Sequence, residues 1–259
     1  MSPLRRTLEI RTSPHIVSGH SVDTIMFHVV LALVPAAGFA VYVFGLAAAL
    51  TLATAVLSCT LTEHIICRLT GRPTTVGDWS VTITGLLYGL TLPPGLPLWM
   101  TAAGGFIAVG MGKWLFGGLG YNVFNPALVG RAVLQAAFPV ALTSWVPGLQ
   151  PGRFTSLPSS TLTLPFSTPV YDAVSGATPL ARWKFDQEPT GLTDLALGMT
   201  SGSTGETGAV LILLGGVYLV IRNMMNWRIP AGIFATVLVL AGGLHLLDAA
   251  TYASPWFHL

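Results

Sequence analysis

Apolar stretches long enough to cross a membrane alternate with short polar connections along this chain. Thr24–Phe44 and Leu46–Cys67 each hold about 20 residues, the length of a helix that spans a bilayer. Gly45 alone separates them, which predicts a very tight turn, and Pro35 predicts a kink in the first helix. The pattern therefore predicts two full membrane-spanning helices near the start of the chain.

The next apolar segments are shorter and are interrupted by glycine and proline. Trp79–Leu92 stops at a Pro-Pro pair, Leu98–Phe116 is rich in glycine, and Asn122–Leu142 is broken at Pro139. Lipid cannot satisfy the backbone groups that such breaks expose, so we expect these segments to line a protein interior or a wet cavity. In transporters, broken helices of this kind mark the ion or substrate site. The alternative is that they are ordinary short helices buried by their neighbours.

The chain divides into four regions. Residues 1–23 are polar, residues 24–142 form a predicted membrane core of about five segments, residues 143–207 are rich in proline, serine, threonine and glycine, and residues 208–259 resume the apolar pattern with Gly208–Ile221 and Ile229–Leu247. Long loops are often functional, so residues 143–207 are a candidate functional region.

The composition fixes the class of protein. Only 8% of the residues are Asp, Glu, Lys or Arg and 52% are hydrophobic, whereas soluble domains carry about 25% charged residues. A chain this poor in charge is neither disordered nor a nucleic-acid-binding protein, and with 2 cysteines it is not a disulfide scaffold. We predict an all-α polytopic integral membrane protein with full spans, short broken helices and a long loop on the outer face.

Basic residues collect on one side of the predicted spans. If the N-terminus is cytoplasmic, that side holds Arg5, Arg6, Arg11, Arg68, Arg72, Lys113, Arg222 and Arg228. Lys and Arg in short loops stay on the cytoplasmic side of a membrane, so this distribution predicts a cytoplasmic N-terminus and a periplasmic location for residues 143–207.

The sequence offers no metal site. Cys59 and Cys67 lie eight positions apart in one predicted helix, about 12 Å along its axis, which is beyond the reach of a disulfide. We expect both to be small core residues. No dinucleotide fingerprint or nucleophile triad occurs, so we predict no NAD site and no catalytic side chain. Any redox chemistry would therefore use an organic cofactor.

The outer loop carries the most specific motif. The pattern Asp-x-x-Ser-Gly-Ala-Thr is formed by Asp172, Ser175, Gly176, Ala177 and Thr178. The small residues leave the backbone beside the Thr178 hydroxyl uncrowded, and Pro179 biases Thr178 toward an extended conformation. A hydroxyl presented in this way can be modified by another enzyme. The alternative is a plain Asp/Ser-Gly turn.

This motif resembles the site at which a flavin transferase couples FMN, through its phosphate, to threonine. It lies in the loop where the RnfD/NqrB family of respiratory membrane subunits carries it. Four further blocks are similar to that family in the same order: Ser13–Ala36, Thr84–Trp99, Gly118–Leu134 and Trp227–Pro230. The resemblance covers almost the whole chain.

The resemblance implies a specific function. Rnf complexes are ion-translocating oxidoreductases of the bacterial inner membrane that link ferredoxin and NAD through flavins and iron–sulfur centres. Thr178 would carry covalent FMN, and Asp172, Ser175, Gly176 and Ala177 would form the recognition motif. The resemblance also implies a non-covalent riboflavin in the membrane. The implied partners are the A, B, C, E and G subunits, among them the other subunit with covalent FMN, together with membrane lipid and the flavin transferase, and no nucleic acid.

Four residues of the broken segments are candidates for a membrane flavin site or an ion path: Thr84, Asn122, Asn125 and Arg131. Asn122 and Asn125 would contact a flavin or backbone carbonyls, or alternatively cap a helix. Arg131 would face a phosphate or another anion, pair with an acid, or extend to the membrane interface.

Acidic residues are rare near the apolar stretches. Asp23 is the predicted N-cap of the first span, and Glu63 and Asp248 lie near helix ends, where we expect interfacial positions instead of a role in moving protons or sodium. Members of the family usually have about ten membrane segments in two inverted halves. We therefore expect one inverted-repeat half and part of a second here, with the chain either naturally short or continuing in further segments after Leu259.

Two other functions remain open. A secondary transporter or channel without a redox role would show the same broken helices. A scaffold subunit would need only the apolar surface. The flavinylation motif distinguishes the redox subunit from both alternatives, because neither has a use for it.

Overall fold

The computed structural model describes residues 21–167, 176–206, 208–249 and 251–258, and these residues form helices and turns. The helices are α1 (Val22–Phe44), α2 (Leu46–Thr70), α3 (Ser80–Leu90), α4 (Leu98–Gly112), α5 (Pro126–Ala137), α6 (Pro139–Thr143), α7 (Pro179–Ala181), α8 (Leu192–Leu197), α9 (Ala209–Ile221) and α10 (Arg228–Leu247). The predicted all-α class is confirmed.

Three of the described helices are long and apolar enough to cross a membrane: α1, α2 and α10. The shorter apolar helices include α3 and α9. The break predicted at Pro139 is present, because Phe138 leaves helical geometry with φ −134° and separates α5 from α6.

The prediction that Asp23 caps α1 was wrong. The N-cap of α1 is Ser21, whose hydroxyl accepts the Thr24 N–H at 3.2 Å, and Asp23 lies in the first turn.

The turn between α1 and α2 consists of Gly45 alone, as predicted. Its φ of +69° lies in the region that favours glycine. A Cβ at this position would also collide with the carbonyl oxygen of Arg153. That same oxygen accepts the N–H of Leu46 at 2.9 Å. The segment of residues 143–167 is therefore attached directly to the corner between the first two helices.

The core lies among α2, α3, α4 and α5, with α1 packed against α3 and α9. Glycines permit close approach of these helices: a Cβ on Gly85 would lie 2.6 Å from the Cα of Val56, and one on Gly130 would lie 2.7 Å from the carbonyl oxygen of Gly104. Such contacts between small residues are the usual basis of helix packing in membranes. Cys59 and Cys67 are buried, free thiols, as expected.

The chain leaves α3 at Leu90 and turns back toward α4 through a buried connection. Protein donors reach its carbonyl oxygens one after another: the Gly205 N–H to Leu90 (2.6 Å), Arg131 to Thr91 (2.7 Å), the Thr204 N–H to Leu92 (2.9 Å), the Thr51 hydroxyl to Pro94 (3.1 Å) and the Ser160 hydroxyl to Gly95 (2.7 Å). At this end of α3, neighbouring segments bury the backbone carbonyls of the connection and donate hydrogen bonds to them. This agrees with the alternative that the broken segments are short helices buried by their neighbours.

Residues 143–167 and 176–206 fold over that end of the bundle. The Leu149 N–H donates to Val43 at the end of α1 at 2.9 Å, and the Leu98 N–H donates to Thr161 at 3.0 Å. By contrast, none of the described residues of α9 and α10 is buried. Residues 143–167 are thus hydrogen-bonded to the core, whereas α10 contacts mainly the short turn Pro255–Phe257.

Candidate functional site

Thr178 sits at the start of the single helical turn α7 and is half-buried. Its backbone is extended, with φ −69° and ψ 156°, which is the conformation that the following proline predicts. Its hydroxyl oxygen accepts the N–H of Ala181 at 3.2 Å. The side chain is therefore held in one place by its own turn.

Gly176, two positions before Thr178, holds the loop close to Trp145 and Ser201. The N–H of Gly176 donates to the carbonyl of Trp145 at 2.9 Å. A Cβ on Gly176 would lie 2.6 Å from the Cβ of Ser201, which is closer than side chains can pack. Ala177 is exposed and lines a small cavity of about 170 Å³. Asp172 and Ser175 lie outside the described residues, and their part in the motif stays a prediction.

Thr178 opens onto a cavity of about 730 Å³, well within the range of small-molecule sites, about 300–1,000 Å³. The outer loop, α5, α8, α9 and the Pro255–Phe257 turn all contribute walls. Its apolar and aromatic lining includes Trp145, Leu180, Leu192, Leu195, Val210, Leu213, Trp256 and Phe257. Its polar lining includes Arg131, Thr200, Glu206 and His258. We call this space the Thr178 cavity.

Arg131 brings a positive charge from the membrane core to the Thr178 cavity. Its guanidinium donates to the carbonyl of Thr91 at 2.7 Å, next to the last turn of α3. No carboxylate among the described residues forms an ion pair with it. Glu206 lines the same cavity but is exposed, and it accepts the Ser203 N–H at 2.7 Å. Arg131 thus binds a backbone carbonyl at the wall of the Thr178 cavity, and its predicted role toward an anion stays a prediction.

The other three candidates lie together in a different place. Thr84, Asn122 and Asn125 line a cavity of about 300 Å³ between the first turns of α3 and α5. Asn125 is the N-cap of α5 and accepts the Ala127 N–H at 3.0 Å, so the capping interpretation is confirmed for this residue. Asn122 donates to the carbonyl of Phe124 at 3.2 Å. The structure therefore separates these three residues from Arg131.

Glu63 is buried inside the protein, and its predicted position at the membrane interface stays a prediction. Glu63 is 0% exposed and Lys113 is 3% exposed, and the ammonium lies 2.7 and 2.8 Å from the two carboxylate oxygens. The Ser80 hydroxyl accepts a third bond from Lys113 at 2.8 Å, and the Thr75 hydroxyl donates to Glu63. In the sequence Lys113 counted only as a basic residue near a helix end. The packing of α2 against α4 brings these two opposite charges together.

The sequence is similar to a known family and to several of its members. Residues 9–259 match the model of the NQR2, RnfD, RnfE family. The chain is 36% identical over 260 residues to the D subunit of the proton-translocating ferredoxin:NAD(+) oxidoreductase complex of Clostridium ljungdahlii, covering 96% of this chain and 73% of that relative. It is 39% identical over 239 residues to the D subunit of the Na(+)-translocating ferredoxin:NAD(+) oxidoreductase complex of Acetobacterium woodii, covering 90% and 69%.

A third relative, the D subunit of the ion-translocating oxidoreductase complex of Halorhodospira halophila, is 37% identical over 275 residues, with 97% and 74% covered. The family match includes both regions that line the Thr178 cavity, the membrane core and the outer loop. On these grounds the chain belongs to the NQR2, RnfD, RnfE family.

Proposed function

We propose that this chain is the flavin-bearing membrane subunit of an Rnf-type, ion-translocating ferredoxin:NAD oxidoreductase complex. It carries electrons through FMN bound covalently to Thr178 and couples their transfer to ion translocation. The names of the similar subunits support the complex, and the motif that ends at Thr178 supports the cofactor. The partners are the A, B, C, E and G subunits, and a flavin transferase attaches the FMN.

The single observation that carries the proposal is the cavity in front of Thr178. Its volume of about 730 Å³ suits a cofactor of this size, and its apolar and aromatic walls suit a flat ring system. Arg131 supplies a positive charge opposite the negative charges of FMN. When bound, FMN supplies one- and two-electron chemistry, while the protein orients it and tunes its electronic environment.

The residues around Thr178 have separate tasks. Thr178 offers the hydroxyl for the phosphoester, and its hydrogen bond to Ala181 fixes the direction of that oxygen. Gly176 lets the loop lie against Ser201, and its bond to Trp145 fixes the loop beside a cavity wall. Apolar side chains from α8 and α9 line the space next to Thr178.

The proposal includes the location and the second flavin that the resemblance implied. The chain lies in the bacterial inner membrane with a cytoplasmic N-terminus, and the Thr178 loop lies on the periplasmic face, in contact with lipid on the apolar surfaces of α9 and α10. The cavity with Thr84, Asn122 and Asn125 has about 300 Å³, at the lower end of the size of small-molecule sites, about 300 Å³. The proposal assigns no ligand residues to the non-covalent riboflavin.

Mass spectrometry of the peptide Tyr171–Arg182 from protein expressed in its native host tests the proposal. We expect the mass of FMN on Thr178 in the wild type and its loss in Thr178→Val. Thr200→Val is the matched control, because Thr200 is also a half-buried threonine of the Thr178 cavity but lies outside the motif. An unmodified Thr178 in a host with an active flavin transferase would contradict the proposal and favour a transporter.

A further inference from the structure

Residues 222–228, which we call the α9–α10 turn, begin and end with an arginine and lie at the end of the bundle where α1 begins. A Cβ on Gly215 of α9 would lie 2.6 Å from the carbonyl oxygen of Ala32. About one turn later Tyr218 contacts His28, which is closer to the start of α1, so α9 runs antiparallel to α1. The helix after the turn, α10, is long and apolar enough to cross a membrane, which places the turn at a membrane surface.

The first arginine of the turn is held by a histidine and not by a carboxylate. The guanidinium of Arg222 donates to Nε2 of His28 at 3.4 Å, and Nδ1 of the same ring shares a hydrogen bond with the Tyr218 hydroxyl. Neither Arg222 nor Arg228 forms an ion pair with a carboxylate among the described residues. Both are exposed. A guanidinium has five N–H donors in a planar fork that matches a phosphate, so Arg222 is oriented while its charge has no partner within the described part of the chain.

The second arginine lies beside an aromatic ring. The Arg228 guanidinium is 5.8 Å from the centre of the Trp227 ring, and Trp227 is 60% exposed. The side-chain oxygen of Asn226 accepts the Arg228 N–H at 3.1 Å and fixes the start of α10. Tryptophan and arginine are residues that anchor helix ends at the level of lipid headgroups. The turn therefore presents two positive charges and an aromatic ring at the depth where headgroups lie.

Apolar side chains continue from the turn along both helices. None of the described residues of α9 and α10 is buried. α9 packs mainly along α1, whereas α10 contacts mainly Pro255–Phe257. Ile221 and Ile229, one on each side of the turn, are 73% and 62% exposed. Hydrocarbon chains therefore find apolar surface on both helices directly next to the arginines.

We propose that the α9–α10 turn is a binding site for an anionic phospholipid. The Arg222 fork, oriented by His28, donates to the phosphate oxygens, Arg228 supplies the second positive charge, and the acyl chains lie along the apolar faces of α9 and α10. Charge complementarity selects this occupant, because two arginines without a carboxylate partner attract a headgroup of net negative charge more strongly than a zwitterionic one. The adjoining apolar faces match acyl chains, which a soluble acidic partner lacks. This inference does not depend on the flavin at Thr178.

Native mass spectrometry of the full chain in detergent measures this binding, with phosphatidylglycerol and phosphatidylcholine of the same acyl chains as probes. We expect the wild type to bind phosphatidylglycerol more tightly. One basic residue near an anionic lipid surface contributes about fivefold in affinity, so Arg222→Gln and Arg228→Gln should each weaken phosphatidylglycerol binding by about that factor and leave phosphatidylcholine binding unchanged. Arg68→Gln is the matched control, because Arg68 is an exposed arginine in the last turn of α2, at the same end of the bundle but outside the turn.

A double-mutant cycle checks the part of His28. His28→Phe keeps an aromatic ring but removes the acceptor for Arg222, so we expect it to weaken phosphatidylglycerol binding in the wild type and not in Arg222→Gln. Equal affinity of the wild type for the two lipids would overturn the proposal and favour an acidic protein as the partner of the arginines. An equal loss in Arg68→Gln would reduce the site to unspecific charge attraction. Displacement of phosphatidylglycerol by inorganic phosphate would show a site for a soluble anion instead of a lipid.

Discussion

At the scale of single residues, neighbouring residues determine some conformations but not the long-range contacts. Thr178 is extended because proline follows it, and Asn125 caps α5, so both conformations could be read from the sequence. Arg131 is different. Its sequence context left three roles open, and only the packing of α5 beside the end of α3 brings it to Thr91 and to the Thr178 cavity.

Gly176 gives a prediction at this scale. Gly176→Ala forces a Cβ to within 2.6 Å of the Ser201 Cβ, and such overpacking costs about 1–3 kcal/mol. A cost of 1.4 kcal/mol is about tenfold in population, so we expect about tenfold less FMN on Thr178, measured by mass spectrometry of the loop peptide.

A second substitution checks the cause of that loss. Gly176→Ala combined with Ser201→Gly removes the side chain that the new methyl group meets, so we expect flavinylation to recover to near the wild-type level. If the double variant stays unmodified, steric conflict with Ser201 is not the reason that glycine is needed here.

The broken helices are best understood at the scale of elements. The sequence predicted where α3 stops, because two prolines follow it, but it left open whether the break faces a solute or the protein. After Leu90 the break faces the protein, because hydrogen-bond donors from α2, α5 and the loop after α6 reach its backbone carbonyls. These donors come from residues more than 30 positions away, and local patterns carry no information about them.

Close packing of α4 and α5 gives a prediction for elements. A Cβ on Gly130 would lie 2.7 Å from the Gly104 carbonyl oxygen, whereas a Cβ on Gly110 of α4 meets no atom within 4 Å. Overpacking of about 1–3 kcal/mol lowers the melting temperature by about 2–4 °C per kcal/mol in proteins of this size. We expect Gly130→Ala to lower the Tm in detergent by several degrees.

Gly110→Ala is the control for that measurement. It adds the same methyl group to an apolar helix of the same core, and we expect the Tm to change little or to rise slightly. Equal losses in the two variants would show that helix flexibility, not the contact between α4 and α5, determines the effect.

At the scale of the whole molecule, the outer segment lies over one end of the bundle and the Arg72 end lies at the other. The Gly45 corner and the α3–α4 connection both bond to the outer segment. Arg68 lies in the last turn of α2, at the opposite end of the bundle, and Arg72 follows just after that helix. The side of the membrane on which each end lies is part of the proposal.

Cysteine labelling in intact cells tests this orientation. Ser167→Cys and Thr74→Cys place thiols at exposed positions of the outer segment and of the α2–α3 connection. We expect a membrane-impermeant maleimide to label the first from outside and the second only after the membrane is opened. The native Cys59 and Cys67 are 0% and 1% exposed, so they should add little background. The reverse pattern would contradict the predicted periplasmic loop.

The sequence by itself determined the helical membrane class, the positions of the spans and breaks, the glycine corner and the motif that ends at Thr178. Each of these depends on hydrophobic length or on backbone preferences of neighbouring residues, which are local properties. Only the tertiary structure decided that Arg131 lines the Thr178 cavity and that Lys113 is buried against Glu63. Those two results depend on which helices pack together, because the contacts join residues that lie 40 and 50 positions apart in the sequence.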